Sequence, residues 1–284
     1  MADSAAYLSM AEQGVWAGGA SPHRYRILVP LLARLMPFEL ETNFLLLSAF
    51  AVGCSSVLLF IYLRRLGCSK IAAAVGVLFF LQLRSVVACF THPIETDSWG
   101  WLATIAALVL LQRGKVFSFI WTVTVGVLAR ESVLFVLGVF CLQEWRNPVR
   151  CLAVTVLPLV VFLGIRAVIP GPEFWQYYLA EIPRLWQRRV SPEWWHVMPF
   201  NIYNAFGPLW ILACMRLRAQ REFLKKHSLF IALVMAQLVV ASDEMRLLTL
   251  LFPVVLPLCV MAIDEARWLT NAAKKSLFFA ERKP

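Results

Sequence analysis

Apolar runs of about 20 residues, each closed by charged or turn residues, divide most of this chain, and a run of that length is what an α-helix needs to cross a bilayer. In lipid, every backbone N–H and C=O must be satisfied within the protein, so such runs become helices. Seven are read at Asn43 to Leu63, Ile71 to Phe90, Ser98 to Leu111, Cys151 to Ile169, Ile202 to Met215, Ser228 to Ala241 and Leu247 to Ile263. Two shorter stretches, Val116 to Ala129 and Ser132 to Gln143, hinge at Arg130 and Glu131. At about 1.5 Å per residue, the first covers about 21 Å of a hydrocarbon core about 30 Å thick. The hinge is therefore expected below the outer surface. Composition agrees, since 60% of residues are apolar and only 15% charged, whereas a soluble domain carries about 25% charged residues. The expected fold class is all-α, a polytopic transmembrane helical protein of about nine membrane segments, two of them short.

Charge then orients the segments. If they simply alternate, RRLGCSK, QRGK, EWRNPVR, RLRAQREFLKKH and the tail from Asp264 share one side, and these stretches hold every lysine. By the positive-inside rule that side is cytoplasmic. The net charge of +10 follows from this topology and gives no reason to invoke nucleic acid. The expected domains are an external region 1–42, a transmembrane domain 43–263 that includes an external aromatic-rich loop 170–208, and a basic cytoplasmic tail 264–284. The same alternation puts the N-terminus outside and the C-terminus inside, although no signal peptide is visible. Either the first helix inserts with its N-terminus outside or an upstream transmembrane segment is missing, and the second is the working expectation. The cysteines are scattered, with no CxxC and no paired histidine spacing, so neither a disulfide framework nor a zinc site is expected.

Three regions make up the outer face. Residues 3–41 include RYRILVPLLARLM, whose Ile27, Leu28, Leu31, Leu32 and Leu35 repeat at helical spacing, as in a helix lying in the membrane interface. The hairpin tips THPIETD, ARES and SDEMR form the second. In the third, the long loop, GPEFWQYYLAEIPRLWQ and SPEWWHVMPFNIYNAFG each open with a proline suited to a first helical position. Trp175, Trp186, Trp194 and Trp195 there suit an aromatic belt.

The opening DSAAYLSMAEQG resembles the first external loop of the polyprenyl-phosphate-dependent glycosyltransferases of the C-type superfamily, in which an Asp follows the first transmembrane helix and a Tyr and a small-residue helix come after it. SPHRYRILVPLLARLMP is similar to the basic, apolar stretch that follows in many bacterial members, and ARES and SDEMRLLTLLFP resemble their later short motifs. The resemblance touches the whole chain in order, through short motifs. It departs in one respect, because the first helix is absent and Asp3 sits two residues from the terminus. The resemblance implies an integral membrane glycosyltransferase acting at the outer face of the cytoplasmic membrane on a polyprenyl-phosphate-linked sugar, with Asp3 as catalytic base.

The chemistry of such a transfer needs a carboxylate to take a proton, cations to hold phosphate, and apolar surface for the lipid. His23, Arg24, Arg26 and Arg246 are candidates for the donor phosphate, arginine being suited to bidentate phosphate contact; Arg24 and Arg26 could equally pair with membrane lipid headgroups. In THPIETDSW, His92, Glu95 and Asp97 fall within six residues at a helix boundary. Asp97 could simply cap the helix that starts at Ser98, and Glu95 with Asp97 could bind a divalent cation such as Mg or Mn through hard oxygen ligands. His92, Glu131 and Glu244 are candidates for acceptor or sugar contact. Arg130 and Glu131 lie between apolar stretches, where an ionisable residue points to function, or they neutralise each other. Asp243, Glu244 and Arg246 could form only a polar turn, and Arg84 and Arg166 are read as snorkelling near helix ends. Two rival functions use the same residues: a transporter or flippase for a lipid or solute, and a non-catalytic membrane subunit.

Overall fold

The computed structural model describes residues 2–17, 23–169, 182–184, 186–187, 189–238 and 243–265. Among these, every regular element is helical. The elements used below are α1 (Ala2–Gln13), α2 (Leu28–Leu35), α3 (Leu40–Arg65), α4 (Lys70–Gln82), α5 (Arg84–Thr91), α6 (Asp97–Gln112), α7 (Val116–Ala129), α8 (Val136–Gln143), α9 (Pro148–Val168), α10 (Pro192–Phe206), α11 (Leu209–Cys214), α12 (Arg221–Gln237), α13 (Glu244–Thr249) and α14, residues 252–265.

Two helices, α3 and α9, are long and apolar enough to cross a membrane. At about 1.5 Å per residue they extend about 39 Å and about 31 Å. The ends of α9 follow from its sequence: Asn147 accepts from the Arg150 N–H at 3.1 Å, and Pro148 occupies the first turn, where no N–H is needed. Its flanks show where it sits. Only Val154 and Pro158 of α9 are buried, while Val149, Leu152, Val156, Val160 and Leu163 lie open. An exposed apolar stripe of that length is rare on a water-soluble surface and ordinary on a lipid-facing one.

Other expected spans are interrupted. The run Ile71 to Phe90 is two helices, α4 and α5, bent by 52° and long enough to span only when taken together. Leu83 takes extended backbone there (φ −59°, ψ 131°), and the next turn is tied elsewhere, Ser85 Oγ lying 2.8 Å from Thr249 Oγ1. The run Ile202 to Met215 breaks at Gly207, whose φ of +54° is open to glycine and costly for most other residues. Pro208 follows and has no N–H with which to continue α10. The last run divides into α13 and α14. By contrast, the short pair falls where its pattern put it, with α7 ending at Ala129, Arg130 extended, and a tight helical turn over Glu131–Phe135 leading into α8.

Packing proceeds in sequence order, α3 against α6, α6 against α7 and α7 against α9, with α8 on α12 and α10 on α13. Tyr62, Phe80, Trp101, Phe119 and Phe252 are fully buried in this main core. A second, smaller cluster of Tyr7, Met10, Val29, Ala33, Phe44 and Ala129 seats α1 and α2 on the start of α3 and the end of α7. Asn43 closes the α2–α3 turn, its Nδ2 lying 2.9 Å from Ala33 O, 3.1 Å from Met36 O and 2.9 Å from Phe38 O. Val29 and Ala33 hold α2 to the protein, whereas Leu31 and Leu35 of the expected interfacial stripe point outward. That small cluster lies directly beneath the charged residues.

Candidate functional site

Three arginines from distant parts of the chain meet three carboxylates beside the second core. Arg26 donates to Glu131 through two N–H groups, Nε to Oε2 at 3.0 Å and Nη2 to Oε1 at 2.6 Å. This fork-on-carboxylate geometry is the strongest that arginine forms. The remaining terminal nitrogen of Arg26 donates to the Tyr7 hydroxyl at 3.1 Å, and that hydroxyl lies 3.3 Å from His23 Nδ1 and 3.4 Å from Thr96 Oγ1. Burial works against a charged Arg26, but Glu131 and Tyr7 outweigh it and hold its pKa well above the usual arginine value.

Asp97 is shared. Arg130 forms an ion pair with its Oδ1 and Arg246 Nε donates to its Oδ2 at 2.7 Å, while Arg246 also lies 3.4 Å from Glu95. The carboxylate is almost completely buried. An isolated ion there would cost several kcal/mol, so two cations in contact are what permit it to stay charged. Arg130 in turn presses on Gly100, where an added Cβ would stand 2.9 Å from Arg130 Cδ. Glycine at that point of α6 is the space in which the arginine lies.

The break after α7 creates this arrangement. Adjacent residues of a continuous helix do not face each other, and at the break Arg130 and Glu131 diverge to different partners. Glu131 pairs with Arg26 and Arg130 with Asp97, rather than with each other. Likewise α6 begins at Asp97 and not at Ser98, so the Asp97 carboxylate serves arginines. Of the SDEMR tip, Asp243 does act as a turn cap, accepting from the Arg246 N–H at 3.0 Å. Glu244 is buried and accepts from Trp194 Nε1 at 3.3 Å and Asn201 Nδ2 at 3.1 Å. Pro192 stands in the first turn of α10, as its sequence indicated, and Ser191 caps that helix.

Of the residues singled out from sequence, His23, Arg26, Glu95, Asp97, Glu131 and Arg246 therefore belong to one connected cluster, and Glu244 stands two residues from Arg246. Arg24 shares the short turn of His23 and is half-buried. His92 lies apart, exposed at the end of α5. Asp3 falls in the first turn of α1, one turn before Tyr7, with its side chain outside the described residues, as are Trp175 and the start of the aromatic loop. Sequence reasoning missed Thr96, Asn201 and the hydroxyl of Tyr7; the DSAAY motif carried the only signal, for Tyr7. Among the described residues no group of three or more His, Cys, Asp or Glu side chains is placed to hold a metal ion.

Beside this cluster runs an apolar groove of about 350 Å3, lined by Leu28, Trp99, Ala103, Trp121, Val125 and Ala129 among others. Its residues interleave with the charged ones: Leu28 follows Arg26 by two positions, Trp99 follows Asp97 by two, and Ala129 precedes Arg130. The charged residues themselves are not part of the groove's lining, which lies along α6 and α7. Comparison of the chain with protein-family models, curated proteins and solved structures gives no match.

Proposed function

We propose that this chain is a membrane glycosyltransferase that moves a sugar from a polyprenyl-phosphate donor to an acceptor hydroxyl at the outer face of the cytoplasmic membrane. The observation that carries the reading is the arginine cluster together with an apolar groove whose Leu28, Trp99 and Ala129 neighbour those charges in sequence. An amphiphile with a hydrocarbon chain and a phosphate head would lay its chain against Trp99 and Trp121 and turn its head toward Arg26, Arg130 and Arg246. Each guanidinium has five N–H donors, so those not spent on carboxylates can turn to phosphate oxygens.

In the reaction, the acceptor oxygen forms a bond to the anomeric carbon as the bond from that carbon to the phosphate oxygen breaks. The acceptor proton passes to a carboxylate, for which Asp3 is the candidate, and polyprenyl phosphate leaves with the bonding electron pair. Phosphate leaves well, so the arginines need only stabilise its charge. Glu244, held by Trp194 and Asn201, would meet sugar or acceptor hydroxyls. A Mg or Mn ion on Glu95 and Asp97 would have to share oxygens with Arg246, and the steps above run without one.

A second reading, a lipid flippase, is favoured by the closed pairing of the charges, since arginines already neutralised by carboxylates can pass a phosphate head without chemistry. Reconstituted protein given radiolabelled polyprenyl-phosphate sugar separates the two. Label in a new glycan linkage, lost in Asp3→Asn, supports transfer. Movement of intact donor across the bilayer with no new linkage supports the flippase and overturns the transferase.

A further inference from the structure

The bend between α4 and α5 opens a second cavity, separate from the charged cluster. It measures about 270 Å3 and is lined by Phe79, Gln82, Leu83 and Arg84 on one wall and by the segment from Tyr203 to Leu209 on the other. Both walls are helix breaks, the first at Leu83 and the second at Gly207.

Four side chains in this lining are polar: Arg84, Gln82, Tyr203 and Asn204. Arg84, Gln82 and Tyr203 stand exposed at its mouth and Asn204 is half-buried, and none of the four makes a side-chain hydrogen bond or ion pair to a described residue, whereas Arg26, Arg130 and Arg246 are each held by carboxylates. The position of Arg84 sharpens the contrast. It stands seven residues before Thr91, the end of the bent pair, or about 10 Å along a helix, inside a run that is otherwise apolar apart from Gln82 and Ser85. A cation in such a run is expensive and marks a ligand or pathway more often than a fold requirement. A snorkelling arginine needs only its own stem and the headgroup layer. Here two amide groups and a phenol stand around the same space.

We propose that this cavity binds a phosphate-bearing anion. Arg84 supplies paired N–H donors to two phosphate oxygens, the geometry for which guanidinium is preferred over ammonium, and the Gln82 and Asn204 amides and the Tyr203 hydroxyl donate to the others. The phosphate comes from the headgroup of an anionic membrane lipid or from free inorganic phosphate. Nothing in this assignment depends on glycosyl transfer, and its lining shares no residue with the arginine cluster.

The test is native mass spectrometry of the delipidated full chain titrated in turn with phosphatidylglycerol, phosphatidylcholine and inorganic phosphate. The wild type retains one tightly held phosphatidylglycerol, or one phosphate, in preference to phosphatidylcholine. Losing a charge-assisted hydrogen-bonded pair costs about tenfold in affinity, so Arg84→Gln weakens that tightest binding about tenfold and leaves phosphatidylcholine unaffected. Asn204→Ala, which keeps the cation, weakens it in the same direction and reports on the site if Arg84→Gln does not fold. Loss confined to phosphatidylglycerol assigns a lipid headgroup, and loss of phosphate binding as well assigns the free anion. Tight binding of both probes that is unchanged in the two variants, or no preference for either over phosphatidylcholine, overturns the proposal.

Discussion

Asp97 shows how this molecule uses charge. Its side chain is 2% exposed and lies between Arg130 and Arg246, so removing its charge leaves two guanidiniums facing each other across a buried space. Breaking a buried pair in this way costs about 3–5 kcal/mol; Asp97→Asn is expected to destabilise by an amount in that range, measured as denaturant unfolding in detergent. An unchanged midpoint would show that the arginines find other partners. Gly100→Ala is a gentler probe of the same place, since its Cβ would meet Arg130 at 2.9 Å. Overpacking of this kind costs about 1–3 kcal/mol, and in the transfer assay the variant should lose rate through displaced Arg130. The types of these residues were legible in the sequence because ionisable groups in apolar surroundings are conspicuous. Their pairing was not, because Arg26 meets Glu131 across more than a hundred residues, and local spacing says nothing about such contacts.

At the scale of elements, the helices were legible and their breaks were only partly so. Length and polarity mark an apolar run, but a run bent by 52° at Leu83 has the same composition as a straight one. The Arg130–Glu131 hinge could be read because two charges interrupt the pattern. Gly207 was legible too, since Gly-Pro marks a turn, but the apolar residues on both sides hid it in the reading of one continuous span. Its φ of +54° and ψ of −134° make a prediction: Gly207→Ala forces a side chain into a backbone conformation open essentially only to glycine and should cost about 1–3 kcal/mol, seen as a lower unfolding midpoint, while Gly53→Ala, in the middle of α3 with nothing within 4 Å of an added Cβ, should leave stability unchanged or raised. Equal effects of the two changes would remove backbone conformation as the reason for the break.

For the whole molecule, hydropathy indicated an all-α protein with apolar helices, and α3 and α9 have the length and exposed apolar flank of lipid-facing spans. Among the described residues two helices, or three if α4 and α5 are one span, have the length and composition to cross; the expectation of about nine segments rests on the apolar runs alone, and their direction on the charge bias of the loops. A reporter active only outside the cytoplasm, fused near Gly171, is expected to be active, and one near Lys225 silent; the opposite pattern would invert the outer face and remove the charged cluster from the side where lipid-linked sugars are proposed to be used. The central claim, that a lipid phosphate seats its chain between α6 and α7 and its head among the arginines, is tested most directly by photolabelling. A polyprenyl phosphate with a photoreactive group in its hydrocarbon chain is crosslinked to the reconstituted protein and the adduct mapped by mass spectrometry. The account predicts adducts at Trp99, Trp121 or Leu28, competed away by unlabelled polyprenyl phosphate and reduced about tenfold in Arg26→Gln. Labelling spread over the exposed flank of α9, with no competition and no dependence on Arg26, would contradict it.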